Sequence, residues 1–497
     1  MTKRITTILL LLSMLVSAAA CGGGETTDPT TTPAGGDTSA EVTDPLAGLD
    51  FGGEKIHVLV SANDYDSQGS SCVYIISEEE ETGDVVQDAV FQRNMAVEEL
   101  LNVTFEFTEN KDNYAAIPTT ISTLVLAGDD TYDYIIHDLF PLATLSVQGN
   151  FLNVYDSEYM DFSKPYWYTD FMKGTSFDSD EKCYLLAGDY FLDILRTSHV
   201  MYVNKEMYEQ HNGSVDDLYK IVFDGGWTQD KFLESIKNAY RDENGNTTAD
   251  DGDVFGYVTS GYWGPMIPWA VASDLEYLSY DSDGTPSFAL NNERSVKLLE
   301  NLNKIFHHEA TNNVLAYDTK TPTERMNNYF SNGLSMFSGY QFVRSLETFR
   351  DIEFGIGLLP YPKMDEAQED YVTSVHDTTN VGVIPVTCKK FDMVGAVLEA
   401  CGRFSQEKVI PAYYDIALKE KYVRDETSAK MLDMIRTNVG DVFPLAFGDY
   451  CNKLPINKAF RIPLEKNSND FASNYAENEP LATEKLAELW DAFKSAE

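Results

Sequence analysis

Residues 56–60 read IHVLV, residues 103–107 read VTFEF and residues 132–136 read YDYII. Short runs rich in β-branched and aromatic residues are typical of β-strands. Between them, residues 84–101 and 114–128 place apolar side chains at helical spacing. The order β-α-β-α-β predicts an α/β layer with a mostly parallel sheet, in which ligands bind beyond the carboxyl ends of the strands.

The rest of the chain repeats this mixed pattern without an internal repeat or a linker. Residues 51–497 exceed the usual size of one domain. If the chain crosses several times between two domains, each domain is built from separate stretches of sequence, and no single linker divides them. The predicted strands are Val200–Val203, Val254–Val258, Ile356–Leu359 and Val381–Pro385, and the predicted helices are Thr228–Tyr240, Ser295–His307, Pro322–Asn332, Phe391–Phe404 and Glu484–Phe493.

The N-terminus has the three parts of a secretory signal peptide. Lys3 and Arg4 are positively charged, residues 5–16 are almost wholly apolar, and residues 17–20 are small. The apolar run is shorter than the roughly 20 residues that cross a bilayer. This pattern predicts a signal peptide over residues 1–20.

The small residues at positions 17–20, immediately before Cys21, resemble the lipobox of bacterial lipoproteins, although Ala18 stands where Leu is usual. In that family the cysteine becomes the first residue after cleavage and carries a lipid. The alternative is ordinary cleavage after Ala20, which leaves a free cysteine. Residues 21–50 are rich in Gly, Thr, Asp and Pro, which predicts a flexible tether.

The charge balance is strongly acidic, with 37 basic and 80 acidic residues and a formal net charge of −43. The negative electrostatic field of such a chain repels the phosphate backbone of nucleic acids, so nucleic acid is excluded as the expected partner. The cysteines after Cys21 are far apart and form no CxxC pair, which argues against a zinc framework. They are Cys72, Cys183, Cys388, Cys401 and Cys451, and their odd number leaves at least one thiol free.

A series of short motifs runs along residues 52–497 in a specific order, although each motif alone is weak. The motifs are Ala127–Gly128, Tyr132–Asp133, Gly149–Val154, Tyr202–Tyr208, Gly226–Thr228 with Phe232, Asn332–Met336 and Gly355–Pro360. In this order they resemble the family 1 extracellular solute-binding proteins of ABC importers. That family folds as two α/β lobes joined by a hinge, with the ligand held in the cleft between the lobes.

The resemblance implies a two-lobed, periplasmic-binding-protein-like architecture. Lobe 1 is expected to comprise residues 51–197 plus 372–420, and lobe 2 residues 198–371 plus 421–497. The chain would then cross between lobes near Ser198–Val203, Tyr371 and Lys421.

The function that the resemblance implies is capture of a carbohydrate or oligosaccharide and its delivery to ABC permease subunits. With the predicted anchor at Cys21, the protein is expected to be a monomer on the extracellular face of a membrane, of the Gram-positive type. No organic cofactor is expected.

A loop after the predicted helix Thr228–Tyr240 places oxygen-bearing side chains at every second position. A Ca²⁺ ion requires six to eight oxygen ligands, which such a loop can supply. The pattern resembles a calcium loop of some family 1 binding proteins, which implies a structural Ca²⁺; the alternative is a plain Asn-Gly turn. The candidate ligands are Asp242, Asn244, Asn246, Thr248, Asp250 and Asp251.

Candidate sugar-binding residues are aromatic side chains and carboxylates near the predicted strand ends. Sugars present apolar faces and hydroxyl rims, so their sites pair aromatic platforms with polar groups. For each aromatic residue the alternative is core packing. The candidates are Tyr65 and Asp66 in the first strand's loop, Asp189 and Tyr190 before a crossing, Trp263 and Trp269 in a Gly/Pro-broken loop, and Tyr340, which resembles the family's ligand-facing aromatic.

The sequence gives little support to an enzyme. It has no HExxH, GxSxG or Walker motif. With 80 acidic residues, carboxylate pairs arise by chance, so no glycosidase pair can be assigned. The prediction is therefore a binding protein, and the alternatives are a surface glycoside hydrolase or a binding protein for a non-sugar ligand such as a peptide.

Overall fold

The structure is a computed structural model of the 497-residue chain. Most of the predicted tether, with Cys21, and the residues Tyr65, Asp66 and Lys421 lie outside the described residues. The structure describes residues 44–61, 74–77, 80–111, 116–247, 249–250, 252–316, 318–349, 351–419 and 426–496.

The described strands form two sheets and one separate hairpin. The first sheet has the order β11-β3-β1-β2, the second β10-β4-β9-β5-β8, and β6 pairs with β7. The strands are β1 Glu54–Ser61, β2 Val103–Asn110, β3 Tyr134–Asp138, β4 His199–Asn204, β5 Phe255–Thr259, β6 Leu278–Tyr280, β7 Pro286–Phe288, β8 Thr311–Asn313, β9 Ser335–Phe342, β10 Ile356–Leu359 and β11 Asn380–Val383.

Helices cover both sheets and form most of the C-terminal region. None of the helices within the described residues has the length and apolarity needed to cross a membrane. The helices are α1 Val85–Leu101, α2 Ile117–Leu126, α3 Leu139–Ser146, α4 Thr169–Gly174, α5 Asp193–Arg196, α6 Lys205–Asn212, α7 Val215–Phe223, α8 Gln229–Ile236, α9 Trp263–Ala272, α10 Glu293–Phe306, α11 Pro322–Ser331, α12 Phe391–Phe404, α13 Ile410–Lys419, α14 Glu426–Thr437, α15 Phe443–Ala446, α16 Ile462–Glu465 and α17 Phe471–Ser495, with π-helical segments at Ser405–Val409 and Leu454–Arg461.

The parallel arrangement predicted for the first sheet is confirmed, since β1 pairs in parallel with both β2 and β3. Helix α1 makes the first crossover and begins where the sequence predicts, with the Asp84 carboxylate accepting hydrogen bonds from the amides of Val86 and Gln87. Strand β11 returns from far along the chain and adds to β3 in antiparallel direction.

The second sheet packs around a cluster of large aromatic residues. Trp227 and Trp269 are fully buried, and the ring of Phe232 lies 5.9 Å from Trp227 and 5.1 Å from Trp269, centroid to centroid. The indole N–H of Trp227 donates to the carbonyl of Pro360 at 3.1 Å. A buried indole needs such a partner, and Trp227 is therefore a packing residue.

The chain passes from the first sheet to the second at residues 197–199 and returns at residues 373–379. These two segments are hydrogen-bonded to each other. The amide of His199 donates to the carbonyl of Ser374 at 2.7 Å, and the amide of His376 donates to the carbonyl of Thr197 at 3.1 Å.

A third segment joins the same place. Thr373 donates its amide to the carbonyl of Asn438 at 2.7 Å, and Gly440 donates to the carbonyl of Thr373 at 3.0 Å. Residues 197–199, 373–376 and 438–440 therefore form a hydrogen-bonded bundle of three segments, which we call the crossing.

Burial changes the protonation of a histidine in the crossing. The side chain of His199 is 2% exposed, and its Nδ1 atom lies 3.3 Å from the Ser374 carbonyl. Burial, with a smaller contribution from the nearby His376, lowers the pKa of His199 to about 3. His199 is therefore neutral at physiological pH and packs as an aromatic ring, with its centroid 4.8 Å from that of Phe342.

A buried ion pair joins α14, which precedes the third crossing segment, to Asp189, which lies shortly before α5. Arg436 Nη1 donates to Asp189 Oδ1 at 2.8 Å and to Oδ2 at 3.0 Å. The Asp189 side chain is fully buried and that of Arg436 is 15% exposed. The hydroxyl of Tyr168 also donates to Asp189, so both carboxylate oxygens have a partner.

Removing this arginine is expected to destabilise the fold. Arg436→Met leaves the Asp189 carboxylate buried without its cation, which costs about 3 kcal/mol in the free energy of unfolding. Urea denaturation of the mature protein measures the loss. The control is Lys494→Met, which breaks the exposed pair with Asp491 (side chains 51% and 74% exposed) and is expected to cost less than about 0.5 kcal/mol. Equal losses in the two variants would contradict a structural role for the buried pair.

Candidate functional site

A pocket of about 280 Å³ lies between the two sheets and beside the crossing. Its walls come from the start of α3, from α9, from residues 376–378 and from the C-terminal residues 444–461. Phe140 is joined to the returning crossing segment, because its amide donates to the carbonyl of Asp377 at 3.2 Å. The pocket is therefore lined both by residues that follow β3 of the first sheet and by residues of α9, which follows β5 of the second sheet, and ligand sites often lie where two such units meet.

Trp263 forms one wall of this pocket and is 48% exposed. It is the first residue of α9, a helix that carries its apolar residues Met266, Trp269 and Ala270 into the core. Trp263 was expected to lie in a Gly/Pro-broken loop, and this expectation is wrong. Pro265 lies in the first helical turn, where its missing N–H would have no intrahelical partner in any case.

Two cations from the C-terminal region lie over the Trp263 ring. Lys453 Nζ is 5.5 Å and Arg461 Cζ is 5.4 Å from the ring centroid. Asp449 is 3.4 Å from the Lys453 ammonium, and the Arg461 guanidinium is hydrogen-bonded to Asn457 and Glu465. The aromatic wall is thus surrounded by charged and amide groups that can bond to hydroxyls.

The returning crossing segment supplies polar groups to the pocket. His376 Nδ1 lies 2.8 Å from the Thr378 hydroxyl and 3.0 Å from Asp377 Oδ1. Burial raises the pKa of Asp377, but the charge and hydrogen bond of His376 outweigh it, so the net shift is downward. Asp377 therefore offers the pocket an ionised acceptor for hydroxyl or N–H donors.

Tyr340 lies behind the pocket wall. It is 9% exposed, and its hydroxyl is 3.4 Å from Nε2 of His376, which lines the pocket. Its backbone has φ +54°, a left-handed conformation that is unfavourable for a large side chain. The ring packs so closely on α9 that a Cβ atom at Gly264 would lie 2.2 Å from the Tyr340 ring. This strained residue connects the crossing to the helix that presents Trp263.

The other predicted ligand residues that the structure describes lie inside the protein. Asp189 is 1% exposed and pairs with Arg436. Tyr190 is fully buried, with its hydroxyl 2.8 Å from that of Tyr134. Trp269 is fully buried, and its indole N–H donates to the Tyr257 hydroxyl at 3.2 Å. In this structure all three are packing residues whose polar atoms already have partners.

Sequence reasoning missed the pocket residues at 376–378 and 444–461. They lie far from α9 in the chain, and no local motif marks them. Lys453 and Arg461 are basic residues in a strongly acidic chain, which is the one signal that could have drawn attention to this segment.

The loop that was predicted to bind calcium folds around its own carboxylates. Both oxygens of Asp242 accept backbone amides at 2.7 Å, one from Gly245 and one from Thr247. The side-chain amides of Asn244 and Asn246 donate to Asp250 at 2.8 and 2.6 Å. Thr248 and Asp251 lie outside the described residues.

No group of three or more His, Cys, Asp or Glu side chains is placed to share a metal ion, as far as the described residues extend. Among the described candidate ligands of the predicted calcium loop, Asp242 and Asp250 are carboxylates and Asn244 and Asn246 are amides. The oxygen-rich donor set suits a hard cation. For the oxygens of Asn244 and Asn246 to join the carboxylates, both side-chain amides would have to turn, and Asn244 would then give up the hydrogen bond that its Oδ1 accepts from the Asn246 amide.

The four described cysteines that follow the tether are free and buried. Burial raises the pKa of Cys183 and Cys388 to about 11 and that of Cys401 and Cys451 to about 12. These thiols are therefore protonated at neutral pH, as is typical of structural rather than reactive cysteines.

Comparison with known proteins finds similarity in structure only. No family model matches the sequence, and no curated protein matches it. The maltose-binding periplasmic protein MalE from Listeria monocytogenes, solved with maltose, is 13% identical, with a TM-score of 0.54 over 88% of this chain and 98% of that one.

Two further solved structures have the same degree of similarity. The galacto-N-biose-/lacto-N-biose I-binding protein of the ABC transporter from Bifidobacterium longum is 11% identical, with a TM-score of 0.54 over 88% of this chain and 98% of its own. A cyclo/maltodextrin-binding protein solved with maltotetraose is 11% identical, with a TM-score of 0.53 over 89% and 97%. The predicted fold class is confirmed: the chain has the two-lobed α/β fold of periplasmic binding proteins.

Proposed function

We propose that this protein is the extracellular solute-binding component of an ABC importer and that it captures a carbohydrate or oligosaccharide between its lobes. The observation that carries the proposal is the half-exposed Trp263 ring in a pocket bounded by both lobes. Three solved proteins of the same fold are named for the sugars that they bind.

The chemistry of the pocket suits a sugar. An indole face packs against the apolar C–H face of a pyranose ring. The carboxylates of Asp377 and Asp449, the Asn457 amide and the two cations provide acceptors and donors for the hydroxyl rim. Its volume of about 280 Å³ is near the lower end of the range for small-molecule sites, roughly 300 Å³.

Ligand binding would be coupled to lobe closure through the crossing. The pocket residue His376 is part of the crossing, where its amide donates to the carbonyl of Thr197, and the pocket residues Asp377 and Thr378 follow it directly in the chain. A ligand that contacts Trp263 on one lobe and Phe140 on the other gains both contacts only when the lobes are close. The differential affinity for the closed state then drives closure. In the proposed role the closed form docks on a permease, and no bond in the ligand is broken.

Trp263→Ala is expected to weaken sugar binding at least tenfold, because it removes the apolar wall of the pocket. The measurement is isothermal titration of a panel of malto- and galacto-oligosaccharides into the mature protein. Phe223→Ala is the matched control, since it removes another exposed aromatic residue (42% exposed) that does not line the pocket.

Each titration mixture is then analysed for sugar products. Stoichiometric binding with no new reducing ends supports a binding protein. Turnover would instead support the surface glycoside hydrolase, and unchanged binding in Trp263→Ala would place the ligand elsewhere.

We further propose that the protein is exported and held at the membrane by a lipid on Cys21. The proposed tether begins there and ends before Leu46 rather than at residue 50, because Leu46 is buried in the core. The support is the signal-like N-terminus and the small residues before Cys21. In a Gram-positive host, the wild-type protein is expected in the membrane fraction and Cys21→Ser in the medium. Equal membrane retention of both proteins would contradict lipidation at Cys21.

We also propose that the loop at residues 242–251 binds a structural Ca²⁺ ion. The support is the convergence of the Asp242 and Asp250 carboxylates and two asparagine amides in one loop. After chelator treatment, millimolar Ca²⁺ is expected to raise the melting temperature of the wild-type protein and not that of Asp250→Asn. An identical response of the two proteins would contradict the site.

A further inference from the structure

A second pocket of about 290 Å³ lies between the lobes and shares no lining residue with the Trp263 pocket. Its first wall is the α4 region, residues 170–178, which belongs to lobe 1. Its opposite wall is residues 276–280, which lead into the β6–β7 hairpin of lobe 2. Residues Asp441 and Phe443, just after the crossing, close its end.

The two lobes are in close contact here. A Cβ atom at Gly174 would lie 2.7 Å from Asp441 Oδ1 and 2.8 Å from the amide nitrogen of Val442. The Asp441 carboxylate itself accepts a hydrogen bond from the Phe443 amide at 2.8 Å. This pocket is therefore part of the contact between α4 and the segment that leaves the crossing.

The pocket is strongly acidic. It is lined by four carboxylates, Asp170, Asp178, Glu276 and Asp441, and by a single basic residue, Lys173. Lys173 is already engaged, with its Nζ 3.0 Å from Asp180 and 4.0 Å from Asp178. Of the lining carboxylates, Asp178 and Asp441 repel each other.

A buried hydroxyl in the pocket has no partner. Tyr277, which lines the pocket, is 2% exposed, and its hydroxyl has no hydrogen-bond partner among the described residues. An unsatisfied buried hydroxyl costs about 1–3 kcal/mol, so a bound donor or acceptor at this point would be favoured. The Tyr277 ring, the half-exposed ring of Tyr280 and Phe443 provide aromatic surface beside the carboxylates.

We propose that this second pocket binds an aliphatic diamine or polyamine that bridges the two lobes. Ammonium groups pair with the carboxylates of both walls and donate hydrogen bonds, and the methylene chain between them covers the aromatic surface. A bare divalent metal ion is a poorer fit, because the described residues include no three acidic or His side chains placed to share one ion. An elongated cation carries separated charges, so it does not need three side chains that meet at one point.

The electrostatics of Asp441 support this assignment. The Asp441 side chain keeps contact with water, but desolvation by the neighbouring protein, together with the negative charges of Asp178 and Asp274, raises its pKa to about 6. An added cation relieves this repulsion and favours the ionised carboxylate. Lowering the pH through about 6 protonates Asp441 and is therefore expected to weaken binding.

The test is isothermal titration of spermidine and 1,5-diaminopentane into the mature protein at moderate salt, at pH 7.5 and at pH 5.0. One site per chain is expected at pH 7.5, with affinity at least tenfold lower in Glu276→Gln/Asp441→Asn and lower in the wild-type protein at pH 5.0. The side-chain oxygen that Asp441→Asn retains can still accept the Phe443 amide, and the melting temperature of each variant reports whether it folds.

The matched control is Glu477→Gln/Glu484→Gln, which removes the same charge from the exposed face of α17. It is expected to bind as the wild-type protein does. Binding of many cations per chain, an equal loss in the two double variants or no binding at all would overturn the proposal, because each outcome would show only a diffuse acidic surface. Sugar binding in Glu276→Gln/Asp441→Asn is measured in parallel, so failure of this pocket is distinguishable from failure of the proposed function.

Discussion

The structure depends on the hydrogen bonds that hold three separate chain segments together at the crossing. Residues 197–199 and 373–376 are joined by their backbones, and residues 438–440 bond to Thr373. These hydrogen bonds join backbone groups. They therefore fix the positions of the three segments whatever side chains the segments carry. The chain passes between the two sheets at these segments, and buried residues around both sheets belong to one continuous hydrophobic core.

The position of the Trp263 pocket follows from the hydrogen bonds at the crossing. The segment that returns to the first lobe continues from the crossing into the pocket as residues 376–378. Tyr340 packs on α9 on one side and lies beside His376 on the other. The residues of the pocket wall are therefore in direct contact with the crossing segments, which must adjust when the lobes move. The second pocket borders the third crossing segment, so both cavities are next to the same joint.

Local sequence pattern predicted much of the fold. The parallel order of β1, β2 and β3 and the start of α1 near residue 84 could be predicted from local periodicity. The predicted bounds of Ile356–Leu359 and Phe391–Phe404 agree with the structure. Strand β9 was not predicted, because every residue in it is buried and it shows no alternation. Helix α9 was read as a loop, because Gly264, Pro265 and Pro268 are usually helix breakers.

Less of the candidate site than of the fold could be predicted from the sequence. Trp263 was identified because an aromatic residue after a strand is a plausible platform, but Trp269 and Tyr190 look similar in sequence and are fully buried. Whether an aromatic residue faces a pocket or the core depends on packing between distant segments. The polar residues opposite Trp263 come from the crossing and the C-terminal region, and no spacing rule links them to α9.

The central claim is that a sugar bound at Trp263 draws the two lobes together about the crossing. Small-angle X-ray scattering of the mature protein, with and without a sugar that binds it stoichiometrically, tests this claim most directly. The account predicts a smaller radius of gyration with the sugar and no change in Trp263→Ala at the same sugar concentration. A saturating sugar that leaves the radius of gyration of the wild-type protein unchanged would contradict it.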